Sequence, residues 1–186
     1  MRSLGRIVVA VLAVAAIAAL AWWAAPGLID AGGPGAGGGG ASTTSAVGIP
    51  TGATTATVRS VHDGDTLRLT LAGSNTELKV RLLGIDTPEV GEDAECFGEE
   101  ARARTRELLP EGTVVTVIAD VEPLDQYGRT LLHVVLADGT HLNRLLIDEG
   151  LAEARFFDPN HEHEREFRAA EAAARAAGIG MWGACG

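Results

Sequence analysis

The sequence predicts an α+β domain in which a small five-stranded β-barrel carries three packed helices, preceded by an N-terminal hydrophobic helix and a flexible linker. Five short segments have the apolar alternation or apolar concentration of strands, and three longer segments have helical composition. An apolar run at the N-terminus and a glycine-rich stretch after it lack the character of a globular domain. The chain therefore divides into three parts.

The first part is an uncharged apolar segment, Ile7 to Ala25, which two arginines precede. As a helix it would be about 28 Å long, close to the hydrocarbon thickness of a bilayer. The positive flank predicts that the N-terminus stays in the cytoplasm and that the rest of the chain lies outside. The length of the segment and the pair Trp22–Trp23 favour an uncleaved anchor, whereas Ala19–Ala21 resembles a cleavage site. Residues 1–26 are thus a signal-anchor or a signal peptide.

The second part, residues 27–52, is predicted to be a flexible linker because it holds ten of the 24 glycines and too few bulky residues to bury a core. Residues 53–186 remain as one globular domain. This domain carries 13 basic and 24 acidic residues, a net charge of -11, against -10 for the whole chain. Such acidity excludes tight non-specific binding to a polyanion, because that affinity comes from lysine and arginine.

The elements of the domain follow from periodicity and from helix start and stop signals. The predicted strands are Ala56–Val61, Thr66–Leu71, Glu77–Leu83, Thr113–Ala119 and Thr130–Ala137. The predicted helices are Gly98–Leu109, His141–Gly150 and Asn160–Ala177. Five short strands with interposed helices favour a Greek-key barrel of the OB type. Composition alone does not separate this barrel from other α+β folds.

Three charged motifs lie at predicted strand ends. They are Asp63-Gly64-Asp65-Thr66, Arg81-Leu-Leu-Gly-Ile-Asp86-Thr87-Pro88-Glu89, and Asp125-Gln-Tyr127-Gly128-Arg129. If the second strand lies between the first and the third, Asp65 and Asp86 approach each other. Two carboxylates and a backbone carbonyl suit a hard cation such as calcium. Because the protein supplies so few ligands, several coordination positions of the ion are left for water and a substrate oxygen. The site is therefore expected to bind calcium weakly.

Each motif alone is a common turn or loop, but together, in this order and spacing, they resemble the staphylococcal nuclease-like (thermonuclease) family. The hallmark of that family is DGDT, then RLxGIDTPE, then DxYGR, on an OB barrel with three helices. The resemblance covers about residues 56–182 and includes Phe97–Ala101, Gly150–Ala152 and Trp182. It implies a nuclease.

The resemblance also implies a role for each residue of the motifs. Asp65 and Asp86 would bind Ca²⁺ through their carboxylates and Thr87 through its backbone oxygen, with Asp63 as an outer-shell support. Glu89 would be the general base, and Arg81 and Arg129 would hold the phosphate and stabilise transition-state charge. Those functions also suit the chemistry of the side chains, since guanidinium forks and a metal ion neutralise the charge that grows during phosphodiester cleavage.

Two features depart from the family pattern. After Gly150–Ala152 the family places tyrosines that touch the nucleotide, whereas this chain has Phe156 and Phe157, which either stack on a base or belong to the core. Tyr127 is a further candidate for substrate contact. The second departure is an acidic segment just after Glu89, which we interpret as a solvated loop and helix start rather than a second metal site.

Cysteine and histidine add two predictions. Cys96 and Cys185 are the only cysteines, and an even pair in an exported protein favours a disulfide over two free thiols. His161 and His163 are interpreted as part of a solvated helix start, because positions i and i+2 of a helix do not face each other. His62 and His133 lack the context for a role.

The leading hypothesis is an extracytoplasmic, calcium-dependent endonuclease, a monomer that cuts DNA or RNA and leaves 3′-phosphate and 5′-hydroxyl ends. The protein would be anchored to the membrane by its N-terminal helix or secreted after cleavage. The second hypothesis is a non-catalytic, nuclease-like binding module at the cell surface. The acidic surface favours it mildly, whereas the complete catalytic set argues against it.

Overall fold

A computed structural model of the chain describes residues 52–185, and these residues form a closed five-stranded barrel with helices packed on it. The barrel strands are β1 (Thr54–Val61), β2 (Thr66–Leu71), β3 (Glu77–Leu82), β5 (Val114–Ile118) and β6 (Thr130–Val135). Their order around the barrel is β1-β2-β3-β6-β5. The pair β3–β6 is parallel, and the other neighbours are antiparallel. The predicted fold class is confirmed for the described residues.

Alternation places the core inside the barrel. Leu67 and Leu69 of β2 are fully buried, whereas Arg68 between them is exposed. The same alternation buries Val80 and Leu82 in β3. The barrel interior is therefore filled by aliphatic side chains, and the charged motifs lie at its rim.

The helices are α1 (Gly98–Leu108), α2 (Leu142–Asp148), α3 (Glu164–Ala177) and a short α4 (Met181–Ala184). None of the helices in residues 52–185 has the length and hydropathy needed to cross a membrane. The predicted N-terminal hydrophobic helix and almost all of the predicted linker lie outside the described residues.

Three short elements were not predicted: α4, and two strands, β4 (Ile85–Asp86) and β7 (Glu153–Ala154), that pair with each other. The third helix was predicted to begin at Asn160 but begins at Glu164. The amide of Asn160 bonds instead to the backbone of Glu122, accepting at 2.8 Å and donating at 2.9 Å. Those long-range bonds keep Asn160 outside the helix, and residue pattern alone does not reveal them.

Two tertiary connections hold the rim in place. Asn143 of α2 is fully buried, accepts from the backbone N–H of Val134 at 3.0 Å, and donates to the carbonyl of Leu83 at 2.9 Å. It therefore fixes α2 against the end of β3. Cys96 and Cys185 form a disulfide that joins the start of α1 to the C-terminal end, with their Cα atoms 6.0 Å apart.

Candidate active site

The turn between β1 and β2 is shaped by Asp63 and Gly64. The Asp63 carboxylate accepts hydrogen bonds from the backbone N–H groups of Asp65 at 3.1 Å and Thr66 at 2.6 Å. A side chain at position 64 would place its Cβ 2.7 Å from the side chain of Thr87, so only glycine lets this turn approach the loop after β4. Asp63 thus supports the turn, and Gly64 brings Asp65 close to Thr87.

Asp65 is a buried carboxylate at the start of the barrel strand β2, with 5% of its surface exposed. It accepts from the backbone N–H of Thr87 at 2.8 Å, and Arg81 pairs with the same oxygen at 2.6 Å. Burial raises the pKa of the Asp65 carboxyl to about 7, against the opposing positive charge of Arg81. Beside Arg81 alone such a carboxylate is only partly ionised at neutral pH, so a further cation would favour its charged form.

Arg81 lies between the two carboxylates of the predicted metal site. Its guanidinium pairs with Asp65 at 2.6 Å and with Asp86 at 2.6 Å, and it donates to the carbonyl of Ile85 at 2.9 Å. One guanidinium fork spans both carboxylates, so Asp65 and Asp86 lie close together, as the predicted strand order requires.

This oxygen-rich donor set fits a hard cation. Two carboxylates converge at the rim, one of them is buried, and Thr87 follows directly in the chain with its residue 6% exposed. Calcium and magnesium take oxygen ligands of this kind. The residues present therefore fit a hard divalent cation in their chemistry.

Glu89 is exposed and is held through its backbone rather than its side chain. Its N–H donates to the Glu95 carboxylate at 3.0 Å, and its carbonyl accepts from the Glu95 N–H at 2.9 Å. A Cβ at Gly98 would clash with the Glu89 carbonyl, so the start of α1 packs directly under Glu89. Glu95, which belongs to the acidic segment after Glu89, thus helps to position Glu89.

Arg129 is oriented by Asp125, four residues earlier. The Asp125 carboxylate pairs with the Arg129 guanidinium at 2.6 Å and accepts from the N–H groups of Arg129 at 2.8 Å and Tyr127 at 2.9 Å. Partial burial acts to raise the pKa of Asp125, but these hydrogen bonds hold it below its usual value. The Arg129 guanidinium also lies 5.5 Å from the centre of the exposed Tyr127 ring.

A cleft of about 720 Å³ brings most of the predicted residues together. Its lining includes Arg81, Asp86, Glu89, Tyr127, Arg129 and Phe157. Asp63, Asp65, Thr87 and Phe156 are not part of this lining. Asp65 and Thr87 are buried at the rim beside it, where Arg81 and Asp86 connect them to the cleft.

The two phenylalanines have different surroundings. Phe157 is 69% exposed and faces the cleft. Phe156 packs against Phe167, with ring centres 5.8 Å apart, and against the face of α3 that carries Arg168, 5.7 Å from its ring. Of the two alternatives for this pair, stacking on a base suits the position of Phe157, and packing suits that of Phe156.

Arg155 is a cleft residue that the sequence does not single out. Its guanidinium pairs with the Asp86 carboxylate at 2.9 Å, and its backbone N–H donates to the carbonyl of Gly84 at 3.0 Å. The pairing of β4 with β7 produces both contacts. The only signal in the sequence is a basic residue in the segment that departs from the family pattern, and nothing local connects it to Asp86.

Comparison with known proteins identifies the family of the chain. The family model described as staphylococcal nuclease homologue matches residues 79–184. The thermonuclease of Staphylococcus intermedius is 35% identical over 128 residues, covering 67% of this chain and 74% of that protein. Endonuclease YncB of Bacillus subtilis (strain 168) is 32% identical over 128 residues, covering 67% of this chain and 59% of its own length.

A third relative is much longer than the matching region. The SPbeta prophage-derived endonuclease YokF of Bacillus subtilis (strain 168) is 34% identical over 124 residues. The match covers 64% of this chain and 41% of that protein. The match to each of the three relatives, 124 to 128 residues, is thus no longer than the 134 residues described above.

Proposed function

The chain belongs to the staphylococcal nuclease homologue family, and from that premise we propose that it is an extracytoplasmic, calcium-dependent endonuclease acting on DNA or RNA. The observation that carries this proposal is the convergence of Arg81, Arg129, Glu89 and Asp86 on one cleft. Two guanidinium groups, one free carboxylate and one acidic metal-binding pair are the components that phosphodiester hydrolysis requires.

The two arginines bind and orient the scissile phosphate. Each guanidinium can present N–H groups to phosphate oxygens, and each is already held in place, Arg81 by Asp65, Asp86 and the carbonyl of Ile85, and Arg129 by Asp125. In the transition state the phosphorus is five-coordinate and its equatorial oxygens gain negative charge. Donors that are oriented in advance stabilise that charge more than the charge of the ground state.

Glu89 acts as the general base. Its carboxylate is exposed in the cleft, while backbone hydrogen bonds fix the position of the residue. It takes a proton from the attacking water as the water oxygen forms a bond to phosphorus. General-base catalysis of this kind contributes roughly 10² to 10⁴ in rate. The bond to the 5′ oxygen breaks, that oxygen takes up a proton from solvent, and Glu89 releases its own proton to solvent, which leaves a 3′-phosphate and a 5′-hydroxyl.

Asp65, Asp86 and the backbone oxygen of Thr87 would hold the calcium ion, which supplies positive charge that neutralises the phosphate. With so few protein ligands, the expected dissociation constant is roughly 10⁻⁴ to 10⁻³ M, in the range of extracellular calcium sites. The oxygen-only chemistry of these side chains supports calcium over a softer metal.

Placement outside the cytoplasm is supported by two independent features. The apolar segment Ile7–Ala25 has the composition of a signal-anchor or signal peptide. The Cys96–Cys185 disulfide is of the kind that persists in oxidising compartments. We infer a monomer that is either tethered to the membrane by its N-terminus or released after cleavage.

The test is cleavage of plasmid DNA and single-stranded RNA by the full-length chain, with calcium or with a chelator. We compare wild type with Glu89→Gln and with Glu92→Gln, a matched control that changes an exposed carboxylate three residues away. Cleavage should require calcium, fall about 10²-fold or more in Glu89→Gln, and persist in Glu92→Gln. New ends that accept phosphate from a 5′-kinase directly, but support 3′ extension only after phosphatase, would match the expected products.

Wild-type protein that binds nucleic acid without cutting it in calcium would sink the enzyme proposal and favour the binding module. Equal activity of the Glu89→Gln and Glu92→Gln variants would remove Glu89 from the role of base. Cleavage that leaves 3′-hydroxyl ends would contradict the proposed direction of bond breakage.

A further inference from the structure

Three histidines from separate elements meet beside the barrel, away from the cleft. His133 lies on β6, His141 precedes α2, and His163 precedes α3. Their candidate ligand nitrogens all lie within 4.8 Å of one another, and the ring centres are 4.8 to 5.2 Å apart. None of the three lines the cleft. We call this group the histidine cluster.

The cluster corrects the interpretation of His163 as part of a solvated helix start. His161 and His163 both precede α3 and have different surroundings. His161 is exposed and contacts Asp158 at 2.7 Å and Glu164 at 2.8 Å. His163 is half-buried and turns toward His133 and His141, which lie 30 and 22 residues earlier in the chain.

The cluster leaves buried polar atoms without partners. His133 is 2% exposed, and its Nδ1 finds no hydrogen-bond partner among residues 52–185. The Nε2 atom of His141 is likewise buried and unpaired within that range. A buried donor or acceptor without a partner costs about 1 to 3 kcal/mol. Because the three histidines lie this close together, one bound ion could serve as a partner for both unpaired nitrogens.

Burial favours the neutral form of two of the imidazoles, His133 and His141. Burial, together with the neighbouring His141 and His163, lowers the pKa of His133 to about 3. Burial lowers the pKa of His141 to about 4, with His163 and Arg144 acting in the same direction and Glu166 against them. Both rings are therefore neutral at physiological pH, and a neutral imidazole has a free lone pair for a metal.

The surroundings match those of a metal-binding histidine set. The ring of the fully buried Phe167 lies beneath all three imidazoles, at 5.5 to 6.1 Å between centres, and excludes water from one side. The Glu166 carboxylate lies 3.7 Å from Nδ1 of His163, and Arg144 holds this carboxylate at 2.5 Å. At 3.7 Å this carboxylate is too far from His163 for a hydrogen bond, but it places negative charge beside the ring, which favours a bound cation.

We propose that His133, His141 and His163 form a binding site for a borderline divalent transition metal, with zinc as the expected ion. Three imidazoles with a fourth position open to water are a common zinc environment, and nitrogen ligands disfavour calcium. The metal would join β6 to the starts of α2 and α3, so its expected role is structural. This site is distinct in place and in chemistry from the oxygen site at the cleft.

Closing the site requires only a small movement. Zinc–nitrogen bonds of 2.0 to 2.1 Å in a tetrahedral site put the nitrogens about 3.3 Å apart, so the widest pair must close by roughly 1.5 Å. His141 and His163 lie just before helices and are half-buried, so they can rotate, whereas His133 is fixed in the barrel. Binding through Nε2 of His141 places the ring proton on Nδ1, so it gives up only the weak 3.4 Å contact in which Nδ1 accepts from the Arg144 N–H.

The experiment uses the untagged full-length chain in mild detergent, stripped with chelator and then dialysed into excess calcium, which occupies oxygen-ligand sites. Zinc is titrated by calorimetry, and bound zinc is counted by mass spectrometry. His163→Gln and His141→Gln remove one ligand each, and His161→Gln is the matched control. Because both cysteines are in the disulfide, thiols do not contribute to the signal.

Wild type and His161→Gln should each bind one zinc ion, and both ligand variants should lose it. At free zinc 100-fold above the dissociation constant, the Tm of wild type should rise by about 10 °C, with no rise in His163→Gln. Circular dichroism without zinc checks that the variants are folded. Zinc binding by wild type no stronger than by folded His163→Gln would overturn the proposal, as would loss of binding in His161→Gln.

Discussion

The disulfide between Cys96 and Cys185 makes a quantitative prediction about stability. The two cysteines are 89 residues apart, so the bond closes a loop that contains most of the domain. In the chain-entropy model a loop of this length restricts the unfolded chain by about 4 to 5 kcal/mol. The double variant Cys96→Ser/Cys185→Ser removes the bond and keeps side chains of similar size.

The folded state should lose little in this variant. Cys96 is exposed and Cys185 is half-buried, so serine at either position gives up little apolar burial. The effect therefore falls on the unfolded state. With about 2.1 cal/mol/K of unfolding entropy per residue, the 134 described residues give a fall in Tm of about 15 °C.

Calorimetry and urea unfolding of the oxidised wild type and the double variant measure this change. The activity well below Tm should be unaffected, because Asp65, Asp86 and Arg81 are bonded to one another within the barrel rim. A decrease in Tm of less than about 5 °C would show that the unfolded chain gains little conformational freedom when the bond is removed, and would refute the entropic reasoning. A folded double variant without activity would show instead that the bond positions the site.

Three further predictions concern other parts of the domain. Arg155→Ala should weaken oligonucleotide binding and reduce the slope of log affinity against log salt concentration by about 1. The control Arg165→Ala changes an exposed arginine on α3 and should leave both the affinity and the slope unchanged. Salt titrations of oligonucleotide binding measure both quantities. Asn143→Ala should lower the free energy of unfolding by about 2 to 4 kcal/mol, because it leaves the N–H of Val134 and the carbonyl of Leu83 without this partner. Urea unfolding measures the change, with Asn75→Ala at an exposed loop position as the control. In chelated protein, the pKa of His133 is lowered on folding, so the unfolded chain binds a proton near pH 6.5 that the folded chain does not bind. The contribution of His133 to stability is therefore complete above that pH and falls as the pH decreases toward 3. Between pH 7 and pH 5 the free energy of unfolding of wild type should fall by about 2 kcal/mol more than that of His133→Gln, and parallel pH curves for the two proteins would refute this prediction.

Much of the barrel can be predicted from the sequence because its information is local. The alternation in Thr66–Leu71 places Leu67 and Leu69 inside for any partner strand, and the structure has the same strand bounds. The turn at Asp63–Gly64 is likewise determined by adjacent residues. These local signals, with the family motifs, indicated the barrel, its helices and the position of the charged residues along the chain.

Contacts between distant segments could not be predicted in this way. Arg81 could be assigned to a strand, but its position between Asp65 and Asp86 depends on how β2, β3 and β4 are arranged. Arg155 reaches Asp86 only because β4 pairs with β7, two short strands with no periodicity to detect. A strand of two residues has too few positions to display a pattern.

The sequence by itself determined the fold class, the three motifs and the cysteine pair, because each is expressed in residue type and spacing along the chain. The tertiary structure alone decided that Arg155 belongs to the cleft, that Asn160 lies outside α3, and that His133, His141 and His163 form a cluster. The physical reason is that periodicity records which face of an element is buried, whereas side-chain contacts depend on how separate elements pack.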